Sequence, residues 1–267
     1  MRLKLRFWRG RRISVVELHG LIALRPGIGS LNIASHGELI DRAFREANGT
    51  PVILDIDSPG GSPVQSDLIA TRIRRRAEEA KVPVHAVIQD VGASGGYWLA
   101  CAADVIHANP MSIVGSIGVR GGGFGFADLI SRLGIERRSY TAGINKARLD
   151  PFAPERPDDV AFVQVLLDDL HTRFKDWVRV RRTGKLKVAE ETLFDGGFML
   201  GDRALQYGLI DGFNDLDGLV HELGGKRARP HVFRPRRRTL LSRLPRLAVD
   251  ALLDAIEERR SRLTLSG

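Results

Sequence analysis

Short apolar runs alternate with amphipathic stretches along most of the chain, and turns rich in glycine or proline separate them. The runs are five to seven residues long and rich in β-branched residues, which predicts buried strands. The predicted strands are 13–18, 51–57, 82–88, 104–108 and 135–140. Apolar residues at helical spacing predict helices at about 35–47, 68–76, 127–133, 158–182 and 201–208, with a further one after Gly96.

Two strands run through a glycine turn directly into a helix. The strand at 51–57 is followed by Ser58-Pro59-Gly60-Gly61-Ser62, and the strand at 82–88 leads to Gly92-Ala93-Ser94-Gly95-Gly96. Such repeats predict an α/β fold with a largely parallel sheet flanked by helices, because parallel strands need crossover connections. Both turns then open at the carboxyl edge of the sheet, where the sites of such folds lie.

The predicted helix at 158–182 has a long apolar face. Its periodicity is typical of a helix that packs against a sheet. We therefore expect this face to belong to the core and not to a cofactor site. The residues concerned are Phe162, Val165, Leu166, Leu170, Phe174, Trp177 and Val178.

The chain has 267 residues, of which 43% are hydrophobic, and this suffices for a full core. Its one cysteine, Cys101, lies in an Ala-rich helical stretch and is expected to be a small core residue. A single cysteine excludes a disulfide within the chain. No apolar run is long enough to span a bilayer, and residues 1–12 lack the apolar region of a secretory signal. We expect a cytoplasmic protein.

Charge is unevenly distributed along the chain. Residues 1–12 carry six Lys/Arg and no acid, and residues 226–267 carry twelve against four acids, whereas the middle, 13–225, is mildly acidic. We therefore divide the chain into a basic arm (1–12), a catalytic domain (13–225) and a basic, partly helical extension (226–267). Basic ends favour an anionic surface, either the inner face of a membrane or a neighbouring subunit. Nucleic acid is not expected, because the extension has only Phe233 for stacking on bases.

Ser94 lies where a predicted strand turns into a helix. A serine at this point is either the N-cap of the helix or a nucleophile held on a tight glycine bend. The loose pattern G-x-S-x-G also fits an α/β-hydrolase, in which His171, His221 or His231 would act as the base. None of these histidines lies in a glycine-rich or turn context, which weakens that interpretation.

Five motifs in one order resemble the signal peptide peptidase A family of serine proteases. The resemblance covers about residues 13–225. The motifs are Asp57-Ser58-Pro59-Gly60-Gly61; Ala93-Ser94-Gly95-Gly96-Tyr97-Trp98; Gly115-Ser116-Ile117-Gly118-Val119; Gly143-Ile144-Asn145-Lys146; and Leu205-Gln206-Tyr207-Gly208-Leu209-Ile210-Asp211.

The resemblance implies a Clp/crotonase-like α/β fold and a Ser/Lys catalytic dyad that cleaves peptides such as signal-peptide remnants. By position, Ser94 matches the nucleophile, Lys146 the general base, Gly61 an oxyanion-hole donor and Ser116 the hydroxyl beside the lysine. It also implies a closed homo-oligomer, in which Lys146 reaches Ser94 of the same or a neighbouring subunit.

The chemistry of the side chains agrees with this assignment. A base for serine must lose its proton near neutral pH, which desolvated lysine does and arginine does not. The N–H groups of Gly61 and Gly95 are the expected oxyanion donors. No metal-ligand spacing occurs, and no cofactor is expected. Two alternatives stay open: an acyl-CoA enzyme of crotonase type, which would leave Ser94 and Lys146 unexplained, and a non-catalytic peptide-binding scaffold.

Overall fold

A computed structural model describes residues 10–24 and 30–235. Its strands, in chain order, are β1 (Arg12–His19), β2 (Leu21–Ile22), β3 (Ser30–Leu31), β4 (Val52–Ser58), β5 (Val84–Ala93), β6 (Val105–Ala108), β7 (Ile113–Gly115), β8 (Phe198–Leu200), β9 (Gly212–Phe213) and β10 (Arg229–Phe233). Its helices are α1 (Ile33–Glu46), α2 (Pro63–Ala80), α3 (Gly95–Ala100), α4 (Ala127–Arg132), α5 (Pro157–Arg181), α6 (Glu190–Leu193), α7 (Gly201–Tyr207) and α8 (Leu216–Gly224).

The main sheet has the strand order β10-β1-β4-β5-β6-β9, and all of these neighbours are parallel. The central strand β5 pairs with β6 near its start and with β7 near its end, and β8 lies antiparallel to β7. The predicted α/β class with a largely parallel sheet is confirmed. The strands are continuously apolar in sequence because parallel strands are buried on both faces.

Both faces of the sheet are covered by helices. The larger core packs α1, α2 and α3 on one face, where Tyr97 and Leu99 of α3 are fully buried. The smaller core lies on the other face, where Leu219 and Val220 of α8 pack against Ile53 of β4. This arrangement buries β4 and β5 and fixes the position of the turns that follow them.

The predicted strand at 135–140 does not form. These residues have no regular secondary structure, and all of them are exposed. Only Ile135 and Tyr140 favour a strand, three of the six residues are charged, and no strand of the described chain pairs with them.

Helix α5 confirms the predicted helix, but half of its apolar face is not core. Phe174 and Val178 are buried, whereas Phe162, Val165 and Leu166 are exposed. Helical periodicity shows that one face of a helix is apolar, but it does not show which other element covers that face. The first half of α5 extends past the core that buries its second half.

The sheet continues beyond residue 225, where the composition changes. Strand β10 pairs with β1 from Arg229 to Phe233, so the compact unit of the structure ends at Arg234. Most of the two basic ends lies outside the described residues. The predicted helical extension and the lipid-binding arm are therefore sequence predictions only.

Candidate active site

The two glycine turns meet at the carboxyl ends of β4 and β5. A Cβ atom on Gly60 would lie 2.6 Å from the backbone nitrogen of Gly95 and 2.7 Å from Cβ of Ser94, both closer than real Cβ contacts. The φ angles of Gly60 and Gly61 are +97° and +140°, which side chains rarely adopt. Glycine is therefore required here for both conformation and close approach.

Ser94 has an unusual backbone conformation. It stands before α3 with φ 52° and ψ −122°, and its side chain makes no capping hydrogen bond. The N-cap interpretation of Ser94 is therefore wrong in its essential element, the side-chain bond. A non-glycine residue at positive φ costs on the order of 1–3 kcal/mol and persists only where the surrounding structure imposes it. The surroundings here include a hydrogen bond from the Ser94 N–H to the carbonyl of Gly115 (2.8 Å).

The N–H of Gly61 points away from the neighbouring strand segment. Ile22 forms a parallel bridge with Gly61, in which the Ile22 N–H donates to the Gly60 carbonyl and the Ser62 N–H donates to the Ile22 carbonyl, both at 2.8 Å. A parallel bridge of this type uses the groups on either side of Gly61 and leaves its own N–H on the opposite side. That N–H is thus outside the bridge.

Ser116 belongs to a second strained loop beside Ser94. Its φ is 53°, and its N–H donates to the carbonyl of Gly197 (2.6 Å). On the other side of this loop, Nε2 of His171 lies 3.1 Å from the carbonyl oxygen of Ile117. The segment 195–197 and helix α5 therefore hold the Ser116 loop from two directions.

One cleft of about 1350 Å³ brings four of the predicted residues together. Ser94, Gly61, Gly95 and Ser116 all line it. One wall is aromatic, with Trp98, Phe174 and Trp177. In this wall the rings of Trp98 and Trp177 stack at 5.8 Å, and the Trp177 indole N–H donates to the Trp98 carbonyl (3.0 Å). This wall was not predicted from the sequence, where Phe174 and Trp177 were assigned to the core and Trp98 only to a motif.

Lys146 is not brought to this cleft within one chain. It is exposed, lies in the loop 141–150, and is absent from the described residues that line the cleft. Large apolar side chains elsewhere in residues 120–150 are also exposed, at 92% for Ile144, 90% for Tyr140 and 82% for Phe124. The predicted base thus lies in a largely exposed segment, residues 118–173, which we call the Lys146 arm.

His171 lines the cleft, contrary to the weight given to it from the sequence. His221 lies on α8, and Nδ1 of His231 lies 3.5 Å from Glu46; neither lines the cleft. The sequence offered His171 as one of three candidate bases but did not single it out, because its position depends on how α5 crosses the end of the sheet.

Cys101, the C-cap residue of α3, is fully buried, as expected for a core residue. Burial raises the pKa of its thiol to about 12. Nearby, buried Arg182 donates to the carbonyl of Gly208 and to Asp211. Burial alone would lower the pKa of Arg182, but the Asp211 carboxylate outweighs it and the pKa is raised. This ion pair ties the end of α5 to the segment before β9.

The family model described as "Peptidase family S49" matches residues 76–228, more than half of the chain. The chain belongs to peptidase family S49. The matched region of this S49 chain includes Ser94, Ser116 and Lys146, while Gly61 precedes it.

Relatives of the S49 chain carry different names. It is 43% identical over 244 residues to the Na(+)/H(+) antiporter NhaA of Brucella abortus, covering 90% of this chain and 33% of that protein. It is 33% identical to the chloroplastic serine protease SPPA of Arabidopsis thaliana (78% of this chain, 31% of that protein). It is 31% identical to protease 4 of Haemophilus influenzae (79% and 34%). The chain thus spans about a third of the length of each.

A solved structure of a membrane-bound stomatin-specific protease shares the fold. The TM-score is 0.50 at 17% sequence identity, over 85% of this chain and 99% of that one. The predicted Clp-like fold class is thereby confirmed. Among the described residues, the helices include none with the length and apolar character that a membrane span requires.

Proposed function

We propose that this S49 chain is a serine endopeptidase in which Ser94 attacks the scissile carbonyl. The observation that carries the proposal is the meeting of a strained serine turn with the Gly60-Gly61 turn in one cleft. In this mechanism the N–H groups of Gly61 and Gly95 hold the oxyanion, and each such donor is typically worth roughly 3–4 kcal/mol. Neither step requires a metal or cofactor.

The proposed general base is Lys146, supplied by a neighbouring subunit of a homo-oligomer. In a single chain this lysine is exposed, and so are large apolar side chains in the same segment, residues 120–150. Contact with a second copy would bury those side chains and desolvate the lysine, and desolvation favours the neutral amine that a general base needs. Ser116 lines the cleft beside Ser94 and would orient the lysine there.

The proposed substrates are peptides, bound in the cleft beside its aromatic wall. Signal-peptide remnants are the substrate class that the resemblance to signal peptide peptidase A suggests. The antiporter name belongs to a protein of which this chain matches one third, and no transport activity is proposed. A crotonase-type activity has less support, because the matching family model is one of peptidases.

Labelling of Ser94 by a fluorophosphonate probe tests the dyad. Ser94→Ala should abolish labelling. Lys146→Ala and Lys146→Arg should each reduce it by at least about 10²-fold, because guanidinium does not give up its proton. Lys187→Ala, which removes an exposed lysine outside the cleft lining, is the control and should label normally.

Adding His171→Ala to this series decides whether Lys146 or His171 is the general base. Normal labelling of Lys146→Ala together with loss in His171→Ala would replace the lysine by the histidine as base. Mixing inactive Ser94→Ala and Lys146→Ala subunits should restore activity if the dyad forms between chains. Mixed oligomers with proven subunit exchange and no recovery would instead place the dyad within one chain.

A further inference from the structure

The Lys146 arm contains one buried side chain, and it is an acid. Between Ile117 and Phe174, all of which the structure describes, Asp159 alone is buried, with 5% of its surface exposed. It lies in the first turn of α5, next to exposed Asp158. A carboxylate is seldom buried unless charged or polar groups surround it.

Two partners of Asp159 come from the end of the Lys146 loop, and a third, Arg156, is the N-cap residue of α5. The Leu149 N–H donates to Oδ2 of Asp159 at 3.4 Å, and Nε of Arg148 lies 3.4 Å from Oδ1 as an ion pair. Arg156 donates to Oδ1 at 3.0 Å. The guanidinium of Arg148 also lies over the ring of Phe162, 4.5 Å from its centroid.

Leu149 adopts a conformation that leucine does not choose by itself. Its φ is 59°, in the left-handed region, where a non-glycine residue costs roughly 1–2 kcal/mol. This conformation directs its N–H to Asp159. Strain of this kind persists where the surroundings impose it and is frequent at functional positions.

We infer that Asp159 is the positioning residue for Lys146. Leu149 is three residues after the lysine, so a loop fixed at Leu149 and Arg148 presents Lys146 in one direction from an otherwise uncovered arm. The inference rests on the proposed role of Lys146 as base. Asp159 acts on the orientation of the lysine and does not touch the substrate.

The test compares Asp159→Asn with Asp158→Asn. Both substitutions remove one carboxylate from the first turn of α5 and the same favourable interaction with the helix dipole, whereas only Asp159 is buried and contacts Arg148, Leu149 and Arg156. The full chain is treated with a fluorophosphonate probe, and the maximal labelling rate and the probe's half-saturating concentration are measured across pH.

For Asp159→Asn we expect a maximal rate lowered by about ten-fold or more, since misplacing a reacting group by about 1 Å costs on the order of 10²-fold. The half-saturating concentration should stay within about twofold, because the cleft itself is unchanged. Asp158→Asn should match the wild type in both quantities at every pH.

Equal behaviour of the two variants would overturn the inference, and so would a rise in the half-saturating concentration for Asp159→Asn that accounts for the whole loss of labelling. Both quantities are measured only on folded protein, so they remain decisive if Asp159→Asn is less stable. Full labelling of Lys146→Ala would instead refute the proposed base itself, whatever the result for Asp159.

Discussion

Gly60→Ala is the substitution that most directly tests the contact between the two glycine turns. The new methyl group would lie 2.6 Å from Gly95 N, 2.7 Å from Ser94 Cβ and 3.0 Å from the carbonyl oxygen of Ala93. It would also be attached to a residue whose φ is +97°. Backbone atoms form two of these three contacts, so no side-chain rotation relieves them.

The expected cost has two parts. Positive φ for alanine costs roughly 1–2 kcal/mol, and overpacking a closely packed contact costs roughly 1–3 kcal/mol. Together they lower the free energy of unfolding by about 2–5 kcal/mol. To restore an ordinary contact of 3.4 Å, Ser94 would have to move by roughly 0.7 Å, which approaches the 1 Å displacement that costs about 10²-fold in rate.

Urea unfolding and fluorophosphonate labelling measure the two effects. Gly49→Ala is the matched control, because Gly49 has a φ of +78° and nothing within 4 Å of its added Cβ. It should cost only the backbone part, roughly 1–2 kcal/mol, and label normally. If Gly60→Ala is no less stable than Gly49→Ala and labels at the wild-type rate, the close contact between the Gly60 turn and the Ser94 turn matters for neither stability nor labelling.

Three further predictions concern other parts of the chain. The Cys101 thiol, whose pKa burial raises to about 12, should resist iodoacetamide in the native protein and react in denaturant; modification of the native protein would contradict its burial. His85 and His107 stack at 5.9 Å, and burial lowers the pKa of both below 6.5. The folded state then binds fewer protons than the unfolded state. The free energy of unfolding is therefore unaffected by this pair above pH 6.5 and decreases as the pH falls below 6.5. The urea midpoint should drop under acid, and His107→Gln should weaken that dependence; an unchanged dependence would refute the assignment to this pair. Finally, residues 1–12 and 226–267 should bind anionic liposomes in a salt-sensitive manner, at about 1 kcal/mol per basic residue. Equal sedimentation of a chain that lacks residues 1–9 and 236–267 but keeps β1 and β10 would show that the ends have another purpose.

The sheet and its two glycine turns could be predicted from the sequence because local chemistry determines them. Continuous β-branched runs indicate strands buried on both faces, and only glycine fits the positive φ angles of Gly60 and Gly61. Since parallel strands end at one edge, Ser94 and Gly61 were expected to meet there, and they line one cleft.

Long-range packing decided the rest. Residues 135–140 were predicted as a strand but have no partner strand in the described chain, and Val165 and Leu166 have helical spacing but are exposed. The same limit applies to the base. Sequence similarity assigned Lys146 to the site, but only the structure showed it on an uncovered arm, with Asp159 beneath its loop and His171 in the cleft. Local sequence determines the conformation of each turn through steric limits on φ, whereas burial depends on which distant surfaces meet, and no periodicity within a segment records that.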